Sequence, residues 1–191
     1  MSENYHKKKQ PEQVRARLLE AAGRRILKDG VQGLRVESVA RDAGVSKGGL
    51  FHHFPNKAAL IEGIFEDGAQ QMNQQLEELM AADPVAHGRF SRAYLNACSA
   101  EEDRDESAVF FVLTLASSEF KARMVSWMKE WLERHAETDS FPEARIVLHA
   151  TDGLWMSLLI DEHGQMEEFR ESTRSALIAM TYPPGVTPPR G

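Results

Sequence analysis

Seven histidines, one cysteine and twenty-nine carboxylates are the groups in this 191-residue chain that could support acid–base, nucleophilic or metal chemistry. Their spacing serves none of it. His6, His52, His53, His87, His135, His149 and His163 fall into no HExxH or Cys/His ligand pattern, and neither a GxSxG elbow nor a phosphate-cradling glycine loop occurs. His149 and Asp152 lie one helical turn apart with no nucleophile nearby in the chain, so they either satisfy each other or face a bound molecule. No enzymatic activity, metal centre or cofactor is expected. Cys98 stands alone, which excludes an intrachain disulfide and leaves a sulfenic acid on it without a resolving thiol. Oxidation of Cys98 is retained as an alternative way for the chain to take a signal.

One stretch does have the pattern of a recognition device. In SVARDAGVSKGGLFHHF, Ser38–Phe54, the residues Val39, Ala40 and Ala43 give a short helix one apolar edge, and Gly44 can stop it at positive φ. Val45 follows as a plug, and Ser46 is a good N-cap for a second helix that starts near Lys47. Leu50 and Phe54, four apart, face a core and leave Lys47, Gly48, Phe51 and His52 largely on the outer side. Gly48 and Gly49 each cost about 1 kcal/mol in a helix interior. Either they allow a sugar-phosphate backbone to approach closely, or they make a loose first turn in an ordinary helical hairpin. A helix, a tight turn and a second helix with such an outer face is the shape that enters a DNA major groove.

Gly30–Leu60, GVQGLRVESVARDAGVSKGGLFHHFPNKAAL, resembles the N-terminal domain of the TetR family of bacterial transcriptional regulators. The likeness rests on Gly30 ending the first helix, Val39-Ala40 and Ala43-Gly44-Val45-Ser46, Leu50 and Phe54 as the recognition-helix core, and Lys57 and Leu60 opening a fourth helix. Two positions depart: Arg35 stands where a threonine commonly caps the second helix, and Phe51 where a tyrosine is usual. Arg35 cannot accept from N–H groups, though it could meet a phosphate. The resemblance implies an all-α protein with an N-terminal three-helix helix-turn-helix domain and a C-terminal helical domain for effector binding and dimerisation. It also implies a homodimeric repressor that binds a palindromic double-stranded DNA operator and is released by a small, largely apolar or aromatic ligand. For DNA, the expected base-edge contacts are Lys47 and His52, with Gly48 and Gly49 giving close approach beside Phe51; Arg35, Ser46, His53 and Lys57 are the expected phosphate contacts.

Charge divides along the chain in keeping with this. Residues 1–57 carry twelve Lys or Arg against six Asp or Glu, a net +6, and the remainder carries eleven against twenty-three, a net −12. A basic head on an acidic body confines phosphate attraction to the head. The expected organisation is a flexible basic arm over 1–10, the helix-turn-helix domain over 11–56, the effector and dimerisation domain over 57–182, and a disordered proline-rich tail over 183–191. Pro11 is expected at the first turn of helix one. Helices are expected near 57–82, 84–100, 106–116, 118–136, 142–162 and 165–181, with the acidic run 101–106 as a solvated turn. The 57–82 helix would be about 40 Å long, long enough to join the two domains. No apolar run approaches a membrane span and no secretory signal opens the chain, so a cytoplasmic location is expected.

The C-terminal part concentrates aromatic and sulfur side chains that can be plain core or can line a cavity. The ligand-binding candidates are Tyr94, Phe110, Thr114, Trp127, Met128, Trp131, His149 and Asp152. On the last two helices, Gly153 permits close packing beside Leu154 and Leu158, and Phe169, Thr173 and Leu177 continue an apolar stripe. The resemblance turns these six residues into the expected dimer interface, two helices from each subunit forming a four-helix bundle.

Overall fold

The computed structural model describes residues 3–99, 104–161 and 163–186, which form helices and connecting turns with no strand among them. The helices are α1 (Glu3–Gly33), α2 (Val36–Asp42), α3 (Lys47–His53), α4 (Lys57–Ala82), α5 (Arg89–Ser99), α6 (Arg104–Ala116), α7 (Ser118–Arg134), α8 (Ala136–Asp139), α9 (Pro142–Ile160) and α10 (Glu167–Met180). Two compact units share them. Unit 1 comprises residues 1–69 and 105–121, and unit 2 comprises 70–104 and 122–191. The 26-residue α4 contributes to both, as its length leads one to expect.

Unit 1 is therefore larger than the sequence suggests. Its core joins Leu18, Ala22 and Ile26 of α1 to Val39, Leu50, Leu60 and Phe65, and also takes in Val109 and Leu113 of α6 and Phe120 of α7. Phe65 stacks on Phe110 at 4.9 Å and on Phe120 at 4.2 Å between ring centroids. The apolar residues at the start of α4 pack against α6 as well as against α1 to α3. The domain boundary expected at residue 57 accordingly falls later, and 105–121 belong with the head. Helix α1 begins at Glu3, so Pro11 lies inside it instead of opening it, and most of the segment expected as a free arm is helical backbone. At Gly30 the backbone leaves the helical region (φ 70, ψ 166) and the helix resumes to Gly33. Residues 101–103 of the expected acidic turn and 187–191 of the expected tail lie outside the described residues. In the described part of that tail, the Val186 N–H donates to the Pro183 carbonyl at 3.1 Å.

Unit 2 is built around α5, whose residues Phe90–Leu95, Ala97 and Cys98 are buried. Its first turn is held by groups remote in sequence. Asp139, 4% exposed, accepts from the Ser91 N–H at 2.9 Å and the Ser91 hydroxyl at 2.6 Å, so α8 caps α5. Arg92 is buried and donates to Asp83 at 2.6 Å and to the carbonyls of Val85, His87 and Thr181 at 2.6, 2.8 and 3.0 Å. Gly88 stands at φ +70, and a Cβ built there would lie 2.2 Å from the Thr181 carbonyl oxygen.

Helix α9 presents two stripes, each with alternating spacings of three and four. Ala144, Val147, Thr151, Leu154 and Leu158 are buried against their own chain, while Ile146, His149, Gly153, Met156 and Ile160 are exposed. On α10, Leu177 packs inward with Leu95, Val147 and Leu154, whereas Phe169, Ser172, Ala176 and Ala179 face outward.

Candidate nucleic-acid interface and effector core

The turn between α2 and α3 closes as its residues require. Gly44 adopts φ 66, Val45 N–H donates to the Ala40 carbonyl at 2.9 Å, and the Ser46 hydroxyl accepts from the Gly49 N–H at 3.0 Å. Leu50 is fully buried and Phe54 nearly so, which turns Lys47, Gly48, Phe51 and His52 outward. Arg35 precedes α2 in extended conformation and makes no side-chain cap, as its chemistry dictates.

The two glycines have different reasons. A Cβ on Gly48 would meet nothing nearer than the Ser46 hydroxyl at 4.0 Å, so the space beyond it is open. A Cβ on Gly49 would lie 2.8 Å from Val45 Cγ1 and 3.3 Å from Ser46 Oγ. Gly49 is thus tied to the plug and cap of its own turn, whereas the space beyond Gly48 is open.

Among the expected phosphate contacts, Lys57 is already engaged, donating to the Gln32 carbonyl at 3.1 Å and tying α4 to the end of α1. His53 is half-buried, and burial, then the neighbouring His52 and Arg15, hold its ring below the usual histidine range. It can therefore offer one N–H near neutral pH but not a full positive charge. Lys47 donates to Glu37 at 2.6 Å and lies 5.8 Å over the Phe51 ring. Glu37 was not among the expected site residues. Its signal in the sequence is weak, since the partners are ten residues apart on different helices and only the turn geometry brings them together.

Of the expected effector residues, Tyr94, Trp127, Met128 and Trp131 meet in one cluster of unit 2, with Phe90, Cys98, Leu148 and Trp155. Their polar atoms are satisfied internally. The Tyr94 hydroxyl donates to Asp152 at 2.8 Å, and the Trp127 and Trp131 indoles both donate to Asn73, at 2.6 and 3.1 Å. Three expectations are corrected. Phe110 and Thr114 are part of unit 1, where Thr114 donates to the Phe110 carbonyl at 2.9 Å, because α6 is spent on covering α4. His149 is exposed on the outer stripe of α9, so it is neither a buried partner of Asp152 nor part of the cluster. Burial, and after it the Asp152 carboxylate, pushes the Cys98 thiol up to about 12. A thiol held protonated lacks the nucleophile that oxidation sensing needs. A small cleft of about 180 Å³ adjoins Cys98, between Leu154 and Leu158 and the Arg170 and Arg174 side of α10.

The six residues expected at the dimer interface divide. Gly153 and Phe169 are exposed and Thr173 is half-buried, but Leu154, Leu158 and Leu177 are buried within their own chain. Those three leucines follow the inward stripes, which the apolar pattern alone does not separate from the outward ones.

No helix of the described residues is long and apolar enough to cross a membrane. Residues 18–64 match the family described as bacterial regulatory proteins of the tetR family, and residues 88–182 match the tetracyclin repressor-like C-terminal domain. The chain is 36% identical over 59 residues to the HTH-type transcriptional regulator TtgR of Pseudomonas putida, a stretch covering 31% of this chain and 28% of that protein. A putative TetR-family transcriptional regulator from a Rhodococcus species has the same fold with a TM-score of 0.63 at 21% identity, over 90% of this chain and 100% of the other. The multidrug binding protein EbrR, solved with malachite green, superposes with a TM-score of 0.63 at 18% identity over 85% of this chain and 96% of its own. Two family descriptions thus fall on one chain in the expected order, the first on the helices that form the capped turn and the second on those surrounding α5, and the chain belongs to the TetR family of bacterial transcriptional regulators.

Proposed function

We propose that this protein is a homodimeric, ligand-responsive repressor that inserts two α3 helices into successive major grooves of a palindromic operator. The observation that carries this reading is the outward face of α3, where Lys47, Gly48, Phe51 and His52 stand exposed over a buried Leu50 on a helix capped by Ser46. Lys47 and His52 are assigned to base edges; Arg35, Ser46, His53 and Lys57 to phosphates; Gly48 to close approach. Pairing of subunits is assigned to the outward stripes of α9 and α10. Ile146, Met156, Ile160 and Phe169 are large, apolar and exposed there, and Gly153, Ala176 and Ala179 let helices come close, which together suit a second copy of the same surface. The two-fold axis would set the reading helices about 34 Å apart, one turn of DNA.

The effector is assigned to the Tyr94, Trp127, Met128 and Trp131 cluster, with Asp152 beside it. The half-buried Trp127 and Met128 give it apolar, polarisable walls, and the EbrR structures with malachite green and ethidium support an aromatic ligand class. Because the indoles of this cluster donate to Asn73 and α4 belongs to both units, a shift of the Asn73 end of α4 is the proposed route to the DNA-reading head. Release from DNA then equals the ligand's differential affinity for the two states.

Selection from a random duplex library with the full-length protein, followed by salt titration of the selected site, tests this. Lys47→Ala should weaken binding and relax its sequence preference, while Lys57→Ala should weaken all duplexes alike and lower the salt slope by about one. If both variants bind like the parent, the DNA surface has been assigned to the wrong face.

A further inference from the structure

We infer that Glu37 is a specificity-determining residue which, with Lys47, reads one G·C base pair in each half-site; this rests on the DNA-binding reading above. The two side chains are 57% and 59% exposed and meet at 2.6 Å across the α2–α3 turn. An ion pair that open to solvent adds little to stability. Nor does the turn need it, since the Ser46 cap and the buried Val39, Ala40 and Leu50 already hold α2 against α3. A carboxylate on a surface that meets phosphates also opposes non-specific binding. Its position is explained if it reads a base.

The pair presents an ammonium donor and a carboxylate acceptor side by side. In the major groove, guanine offers the acceptors O6 and N7 and cytosine the N4 amino donor, so one G·C pair matches both groups at once. An A·T pair also sets an acceptor, adenine N7, beside a donor, the N6 amino group, but guanine offers the ammonium two adjacent acceptors where adenine offers one, so G·C is the better match. The Lys47 ammonium holds the Glu37 carboxyl below its usual range, so the acceptor stays ionised. On DNA, Lys47 moves from Glu37 to the guanine edge and Glu37 gains the cytosine amino group. Where no G·C pair is present, Lys47 stays with Glu37, so its charge is spent on the carboxylate and not on the DNA, which weakens the encounter. Glu37 thereby acts twice, for the correct base pair and against the rest.

The test uses the full-length parent with Glu37→Gln, Glu37→Asp and Lys47→Ala. Each is taken through selection from a random duplex library and then through dissociation-constant measurements on the parent's selected site and on a scrambled duplex. The parent motif should contain a G·C position in each half-site that vanishes in Glu37→Gln and Lys47→Ala while the rest of the motif persists. Glu37→Gln should bind the scrambled duplex about threefold tighter, the effect of one charge at moderate salt, and its ratio of selected to scrambled affinity should fall at least about tenfold. Glu37→Asp keeps the charge but is one methylene short, so it should keep the parent's affinity for scrambled DNA and still lose the G·C preference. Glu37→Gln with the parent's motif and ratio would reduce the pair to a surface contact. Equal loss on both duplexes would make Glu37 a structural residue of α2, and either result overturns the assignment. A parent that selects no motif would overturn the DNA-binding reading itself, an outcome recognisable because no variant then has a preference to lose.

Discussion

Replacing Gly48 by alanine should move stability and DNA affinity in opposite directions. Gly48 is the second residue of α3, exposed, and not at positive φ, so alanine fits its backbone. The added Cβ meets only the Ser46 hydroxyl, at 4.0 Å, an ordinary contact. Fewer unfolded conformations should then stabilise the free protein by about 0.4–1 kcal/mol, or about 1–4 °C in melting temperature for a chain of this size. If a sugar-phosphate backbone presses against that position, the same methyl holds the helix away from the groove in both half-sites. A loss of about 1 kcal/mol per half-site compounds to at least tenfold in operator affinity. Thermal melts of the free protein and fluorescence anisotropy on the selected duplex read the two quantities separately. A more stable variant with unchanged affinity would refute close approach and leave Gly48 as a loose first turn. A destabilised variant would refute the open space beyond Gly48. Gly49→Ala cannot make this separation, because its Cβ would lie 2.8 Å from Val45 and disturbs the turn itself.

The outer and inner stripes give opposite outcomes to the same change: Phe169→Glu, at an exposed position, should yield a folded monomer by sedimentation, whereas Leu177→Glu should unfold the unit because it buries an unpaired carboxylate beside Leu95 and Val147. A dimeric Phe169→Glu would place the interface elsewhere. Gly88→Ala should cost about 3–5 kcal/mol in denaturant unfolding, since it combines a positive φ with a Cβ 2.2 Å from the Thr181 carbonyl oxygen; a loss under about 1 kcal/mol would show that the α5 entry can yield. His135 stacks on Phe90 and Trp131, and burial holds its ring below the usual range. The unfolded chain then takes up a proton that the folded one refuses, so this part of the stability is present above about pH 6.5 and is lost as pH falls. His135→Gln should flatten that decline in melts taken from pH 7.5 to 5.5, and an unchanged slope would assign it to other groups.

The reading helix is legible from the chain alone, because everything that forms it is local. Gly44 must take a positive φ, Ser46 must cap the helix that begins at Lys47, and Leu50 and Phe54 must share a face, all within eleven residues. The 57–82 helix was legible for the same reason, since its apolar residues recur without interruption from Asn56 to Pro84. The place of α6 emerges from packing, because Val109, Leu113 and Phe110 are equally apolar whether they line a ligand cavity or cover Phe65. Packing alone decided the outward stripe of α9, since apolar residues occupy both stripes and periodicity records that a face is apolar without recording what it meets. The capping of α5 by Asp139 and the clamp of Arg92 on Thr181 were equally out of reach, for they join groups 48 and 89 residues apart. Contacts of that separation follow from packing of helices already formed, whereas the turn before α3 is specified by neighbours along the chain.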